Sequence, residues 1–216
     1  MPILQLPDRS LSLDRYPPRD KDPLQPWDAA DEYLLNRMTE EAPSATGGGL
    51  LIVGDSFGTL AVACHGRQPC WWSDSFLAAK GLEANLRTNG LDPAGIAVVT
   101  GDREPTGRFQ MVLLKIPKSL AHLEDILLRL RPHLEPGAKI LAGSMIKHTP
   151  ARAYRLIERC IGPTKTTLGW KKARLAVADH DMELGLPPRL PESTYRLEEF
   201  GWTLGNGPNL FSRDRL

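Results

Sequence analysis

The sequence predicts an α/β fold: a central, mostly parallel sheet with helices on both faces and antiparallel strands at the C-terminal end. Short apolar runs recur through the middle of the chain, among them LLIVGD (Leu50–Asp55), IAVVTGD (Ile96–Asp102) and MVLLKIP (Met111–Pro117). Segments with apolar residues three and four apart separate them. Runs that are apolar on both faces, alternating with amphipathic helices, are what a parallel sheet covered on two sides requires. The crossovers are then expected to be right-handed.

The elements follow in order. Residues up to about Pro23 are polar and rich in Pro and Asp, and are expected to wrap the surface without regular structure. A helix is predicted over Gln25–Glu40, with Trp27, Ala30, Leu34 and Met38 on one face and Pro26 in its first turn. SATGGG (Ser44–Gly49) reads as a hinge into the strand Leu50–Asp55. A helix over Thr59–His65 and a strand over Cys70–Asp74 come next. Ser75 can cap a helix running to Asn89 and closed by Gly90. Strands at Ile96–Asp102 and Met111–Pro117 precede a helix capped by Ser119, with Leu120, Leu123, Leu127 and Leu130 on one side. KILAGSM (Lys139–Met145) is the fifth strand, and Thr149 and Pro150 open a helix that buries Ala153, Leu156, Ile157 and Cys160. Thr166–Ala178 reads as one strand or a strand pair. Tyr195–Leu197, Trp202–Leu204 and Asn209–Ser212 read as short antiparallel strands between Gly turns.

Composition sets bounds. The 216 residues suit one large domain, and 41% hydrophobic with 25% charged residues is ordinary for a soluble globular chain. No apolar run approaches the roughly 18 residues of a membrane span. MPILQLPDRS lacks the pattern of a secretory signal, so a cytoplasmic location is expected. Cys64, Cys70 and Cys160 have no CxxC spacing, which argues against zinc or a disulfide framework and for buried thiols. His65, His122, His133 and His180 show no ligand spacing and are expected at the surface; Trp71 and Trp72 are expected in the core or at a sheet edge. A net charge of +1 gives no global nucleic-acid signal, so any such case rests on local clustering.

Ligands of open α/β sheets sit off the carboxyl ends of the strands. The first such loop is Gly54-Asp55-Ser56-Phe57-Gly58. A nucleotide loop needs several glycines for close backbone approach, and this one has two. A tight strand-to-helix turn explains it as well. Asp74, ending the second strand, could accept hydrogen bonds from a ribose or cap the next helix.

The segments LQPWDAADEYLL (Leu24–Leu35), LLKIPKSLAHLE (Leu113–Glu124) and GPTKTTLGWKKARL (Gly162–Leu175), with the order of elements and the loop above, are more specific. They resemble the bacterial ribosomal RNA guanine-N2 methyltransferases built from two tandem methyltransferase-like domains. The large-subunit methyltransferase G group is the best match. The resemblance covers nearly the whole chain and is to the N-terminal, degenerate and non-catalytic domain. It implies a Rossmann-like class I methyltransferase fold. It also implies an N-terminal extension and first helix over 1–43, a methyltransferase-like domain over 44–208, and a junction over 209–216 toward a C-terminal catalytic domain. S-adenosylmethionine would bind in that second domain and not in this one. The partners implied are ribosomal RNA, in its protein-free large-subunit form, and the catalytic domain; no membrane is implied.

Departures from a working site are visible residue by residue. The catalytic copies of the family carry an acidic residue two positions before the first loop glycine; aligned on Gly54, that position is Ile52. The middle glycine is Ser56, leaving a vestigial loop of Gly54, Ser56 and Gly58 with Asp74. The family's Asn-Pro-Pro-aromatic motif is replaced by Lys115-Ile116-Pro117-Lys118. A lysine has donors only and cannot accept from the target amine as an amide does. No catalytic residue is therefore expected here.

Basic residues offer another surface. Lys147, His148, Arg152 and Arg155 cluster at a helix start, Lys165, Lys171, Lys172 and Arg174 in the next segment, and Lys115 and Lys118 at the sheet's carboxyl edge. With Trp170 to stack, they are candidates for RNA contact. Strand alternation would place Trp170, Lys172 and Arg174 on one face. A scattered, solvated surface is the plain alternative. Three functions stay open at this point: an RNA-binding accessory domain, an active small methyltransferase with a divergent cofactor site, and a purely structural partner of the catalytic domain.

Overall fold

The computed structural model describes residues 1–19, 23–41, 49–101, 103–185 and 193–206. The chain opens with strands β1 (Ile3–Gln5) and β2 (Ser10–Ser12), which form an antiparallel hairpin with Leu4 opposite Leu11. This corrects the expectation of an unstructured wrap. Leu4, Leu11 and Leu13 are buried in the core, and leucines at every second position around a Pro-Asp-Arg turn are the reason. The exit of the hairpin is pinned to a later helix by two asparagines. Asn85 accepts from the Asp14 amide at 2.8 Å, and Asn89 accepts from the Ser12 amide at 3.0 Å.

Helix α1 (Ala29–Glu41) starts later than the sequence predicts. Pro26 lies before it, and the start is a reciprocal cap. The Asp28 carboxylate accepts from the Ala30 amide at 2.8 Å, while the Asp31 carboxylate accepts from the Asp28 amide at 2.8 Å. Such a box satisfies amides that a helix end leaves orphaned.

Then come β3 (Gly49–Val53), α2 (Thr59–Ala63), β4 (Cys70–Ser73), α3 (Phe76–Thr88), β5 (Ala97–Thr100) and β6 (Phe109–Lys115). They are followed by α4 (Leu120–Leu130), β7 (Leu134–Met145), α5 (Ala151–Cys160), β8 (Thr164–Thr166) and β9 (Ala173–Asp179). Ser75 and Ser119 cap α3 and α4 as expected, accepting from the Ala78 and His122 amides. Each such cap contributes about 1 kcal/mol. The fifth predicted strand is longer than its apolar run, reaching back to Leu134 beside an irregularity at Phe109/Met111.

The seven strands lie in the order β5-β4-β3-β6-β7-β9-β8. The first five are parallel; β9 runs antiparallel to both β7 and β8. The pleat sorts side chains to two cores. Ile52, Leu113, Leu141 and Leu175 meet Leu34, Leu60, Leu82 and the first hairpin on one side. Leu51, Val112, Ile140 and Ala176 meet Leu123, Leu127, Ala153 and Ile157 on the other. Trp71 and Trp72 are both buried, one in each core. All three cysteines are free and buried.

Among the described residues, the last two strands, β10 (Ser193–Leu197) and β11 (Trp202–Asn206), pair only with each other. The predicted strand at Asn209–Ser212 lies outside the described residues.

Candidate functional site

Strand order reverses between β3 and β6, so the crevice off their carboxyl ends is where this topology places a ligand. The glycines of the first loop have conformational and packing reasons to be there. Gly54 and Gly58 have φ of 74° and 78°. A Cβ on Gly58 would stand 2.6 Å from the Leu82 Cα. Ser56 is exposed in the same loop. Asp74 is exposed too; its neighbour Ser75, not Asp74, caps α3.

The crevice is a cavity of about 540 Å³ lined by Trp27, Asp28, Asp31, Asp55, Phe57 and Lys115, among others. Lys115, the last residue of β6, does not reach into solvent. Its ammonium lies 2.7 Å from Asp28 and 2.9 Å from Asp31, and its side chain is 16% exposed. The α1 cap and this ion pair therefore share both carboxylates. The segment leading into α1 is fastened across the loop, with the Thr59 hydroxyl donating to the Pro26 carbonyl. Asp55 is buried beside them, its carboxylate accepting from the Ala61 amide at 3.1 Å.

The electrostatics follow from burial. Burial pushes Asp31 up, and the charge of Lys115 only partly opposes it. Burial also raises Asp28, but Lys115 outweighs it and holds that carboxyl below its ordinary range. Burial pulls Lys115 down, yet Asp31 and Asp28 reverse this and keep it charged. Asp55 is pushed up to about 7 by burial and by the negative charge of Asp31.

The other half of the same edge is formed by β7 and the β8–β9 hairpin. Trp170 and Ala173 exchange two backbone hydrogen bonds of 2.9 and 2.8 Å, so Lys171 and Lys172 are the two central residues of a tight turn. Their φ values are 46° and 66°, the left-handed pair that a type I′ turn demands. The expected alternation of Trp170, Lys172 and Arg174 on one face is thus wrong, because the turn interrupts the strand. Arg174 pairs with Ser144 in the ladder and feels Tyr154 of α5, away from the tip.

The tip is held by its neighbours. The Tyr33 hydroxyl donates to the Leu168 carbonyl, and the Ile146 amide donates to the Lys172 carbonyl. Trp170 is not an open stacking face: Tyr33 lies 5.6 Å from its ring and the Lys171 ammonium 4.5 Å. Lys171 also pairs with Glu32 at 2.8 Å. By contrast Lys118, Lys147 and Lys172 are exposed, and none has an ion pair among the described residues. Leu168 and Ile146 stand exposed on the same edge.

Two other candidates lie elsewhere. Arg152 is exposed on the first turn of α5, and Lys165 is exposed on the outermost strand, level with Val177 and far from the tip. The histidines are less exposed than expected: the His122 and His133 side chains are both 17% accessible. Sequence reasoning missed Asp28, Asp31, Asp55, Glu32 and Tyr33. The Asp-x-x-Asp spacing before an apolar helical run was the available signal for the first two.

The geometry can be set beside known proteins. A family model described as "RLMG N-terminal domain" matches residues 1–182. The ribosomal RNA large subunit methyltransferase G of Pseudomonas putida (strain GB-1) is 44% identical over 220 residues, covering 100% of this chain and 58% of that protein. The protein of the same name from Ectopseudomonas mendocina (strain ymp) is 43% identical, with the same coverage. The chain thus spans 58% of the length of these relatives. In fold, the chain resembles a T. thermophilus 16S rRNA N2 G1207 methyltransferase solved with AdoMet and guanosine. The TM-score is 0.66 at 16% identity, covering 100% of this chain and 54% of that one. A precorrin 8w decarboxylase of Methanobacterium thermoautotrophicum gives 0.59 at 18% identity, covering 74% and 95%. These likenesses establish a Rossmann-like methyltransferase fold, and the match over residues 1–182 together with the 44% relative establishes that the chain belongs to the RLMG N-terminal domain family.

Proposed function

We propose that the chain is the N-terminal domain of an S-adenosylmethionine-dependent ribosomal RNA guanine-N2 methyltransferase of the cytoplasm. In this reading it transfers no methyl group and helps hold and orient the RNA for a catalytic domain that follows it. The observation that carries the reading is the division of lysines along one edge of the sheet. At the crevice, Lys115 is consumed by Asp28 and Asp31. Beyond it, Lys118, Lys147 and Lys172 present open charge beside exposed Leu168 and Ile146. Open cations attract phosphates, and apolar side chains among them give unstacked bases a surface.

The crevice does not suit S-adenosylmethionine. The Lys115 ammonium occupies the end of β6. Asp28 and Asp31 are taken up by it, so neither is free to meet a cationic sulfonium. Ser56 replaces the glycine that would allow close backbone approach.

Titrating the chain with protein-free large-subunit rRNA fragments across salt tests the reading. Binding should weaken steeply as salt rises, because phosphate contacts release counterions. The triple variant K118Q/K147Q/K172Q should bind roughly tenfold more weakly at about 0.1 M salt, with a salt slope shallower by about 2. Its thermal stability should stay close to that of the parent, as expected for exposed substitutions. Unchanged affinity in the triple variant would favour a purely structural partner. Saturable binding of S-adenosylmethionine in calorimetry would revive an active site.

A further inference from the structure

The hairpin β10–β11 has two unlike faces. Cross-strand partners share a face, so Tyr195 and Leu204 stand with Leu197 and Trp202 on one side. Thr194, Arg196, Thr203 and Gly205 occupy the other. Phe200, in the turn, stacks on Trp202 with ring centroids 5.2 Å apart. None of the described side chains on the apolar side is buried, and Phe200 and Trp202 are 57% and 60% exposed. A two-stranded ribbon alone is marginal in water, and one with an open aromatic pair needs a surface to cover it.

The first hairpin of the same chain shows what such a surface is. β1–β2 and β10–β11 are both antiparallel pairs joined by four residues, Leu6–Arg9 in one and Glu198–Gly201 in the other. The first lays Leu4 and Leu11 on the core of the α/β unit that comes after it in sequence. The second lies beyond residue 182, where the family match stops, and the curated relatives extend well past the 58% that this chain covers.

We infer that β10–β11 is the opening element of a second folded unit, docking its Phe200–Trp202 face on the part of the longer protein that follows Leu216. The inference is independent of RNA contact. It moves the structural boundary between units into the stretch between 182 and 193, ahead of the junction expected at 209–216.

Hydrogen exchange on two chains tests it: the 216-residue chain, and the same chain continued at Leu216 by the remainder of the Pseudomonas putida relative. In the short chain the amides of 193–206 should exchange nearly unprotected, while those of β1–β2 stay protected. In the long chain protection over 193–206 should rise roughly a hundredfold. F200S/W202S should then remove most of that gain and leave α4 protected as before. Equal protection in both chains overturns the inference. So does protection in the short chain that rises with its own concentration, which would make a second copy the occupant.

Discussion

Lys115 and Lys172 stand two strands apart on the same edge of one sheet. Lys115 lies between two carboxylates that also cap α1, nearly removed from solvent. Lys172 sits on a tight turn in a backbone conformation that lysine disfavours, with its charge open. The difference is where the carboxylates are. Around the crevice the buried Asp31 and Asp55 gather with the more exposed Asp28, and a cation offsets the cost of the buried charge. Around the tip, among the described residues, one carboxylate, Glu32, meets one lysine, Lys171, and Lys172 is left over. A positive residue at a ligand edge therefore says little until its partners are known.

The contrast is broken most directly by Lys115→Met. Removing the ammonium leaves Asp31 buried and Asp28 without its partner, which costs about 3 kcal/mol or more. The melting temperature should fall by roughly 6–12 °C for a chain of this size. A fall of a degree or less would mean that the crevice is well solvated.

Asp55 sharpens the electrostatic side. Its carboxyl is raised from 3.8 to about 7, so between those values the folded chain keeps a proton that the unfolded chain releases. Stability from this group is complete at low pH, falls as pH rises toward about 7, and levels off above. Asp55→Asn retains an oxygen for the Ala61 amide and removes the titration. The variant should flatten the decline in melting temperature between pH 5 and pH 8 and melt several degrees above the parent at pH 8. Parallel pH profiles would show that Asp55 is ionised throughout.

The smallest effect belongs to the tip. Asn-Gly is the pair that a type I′ turn prefers, and left-handed lysines cost about 1–2 kcal/mol each. The double substitution Lys171→Asn with Lys172→Gly should stabilise the chain by about 1 kcal/mol, after losing an exposed ion pair worth a few tenths. The same protein should bind rRNA more weakly. That combination would show strain kept for its charge, whereas a stabilised protein with unchanged RNA affinity would separate the turn from binding.

Much of the fold was legible because its strands are apolar runs and its helices repeat at three and four. Ser75 and Ser119 announced their helices by position alone. The opening hairpin was missed because three-residue strands around Pro and Asp look like coil. The β8–β9 turn was missed because Lys-Lys carries none of the Asn or Gly that usually marks two left-handed residues. The fate of Lys115 depends on Asp28, 87 positions away, a separation over which periodicity carries no information. The lysines with open charge on this edge, Lys118, Lys147 and Lys172, were all among the residues chosen from sequence, but so were Lys115 and Lys171, and only packing tells them apart.

Gly58 carries a lesson for motif searches. Its place is enforced by the backbone of α3 at Leu82, a constraint that persists whatever the neighbouring crevice holds. A glycine after such a strand thus has a packing cause of its own, and a scan for nucleotide loops needs more than its presence to infer a ligand.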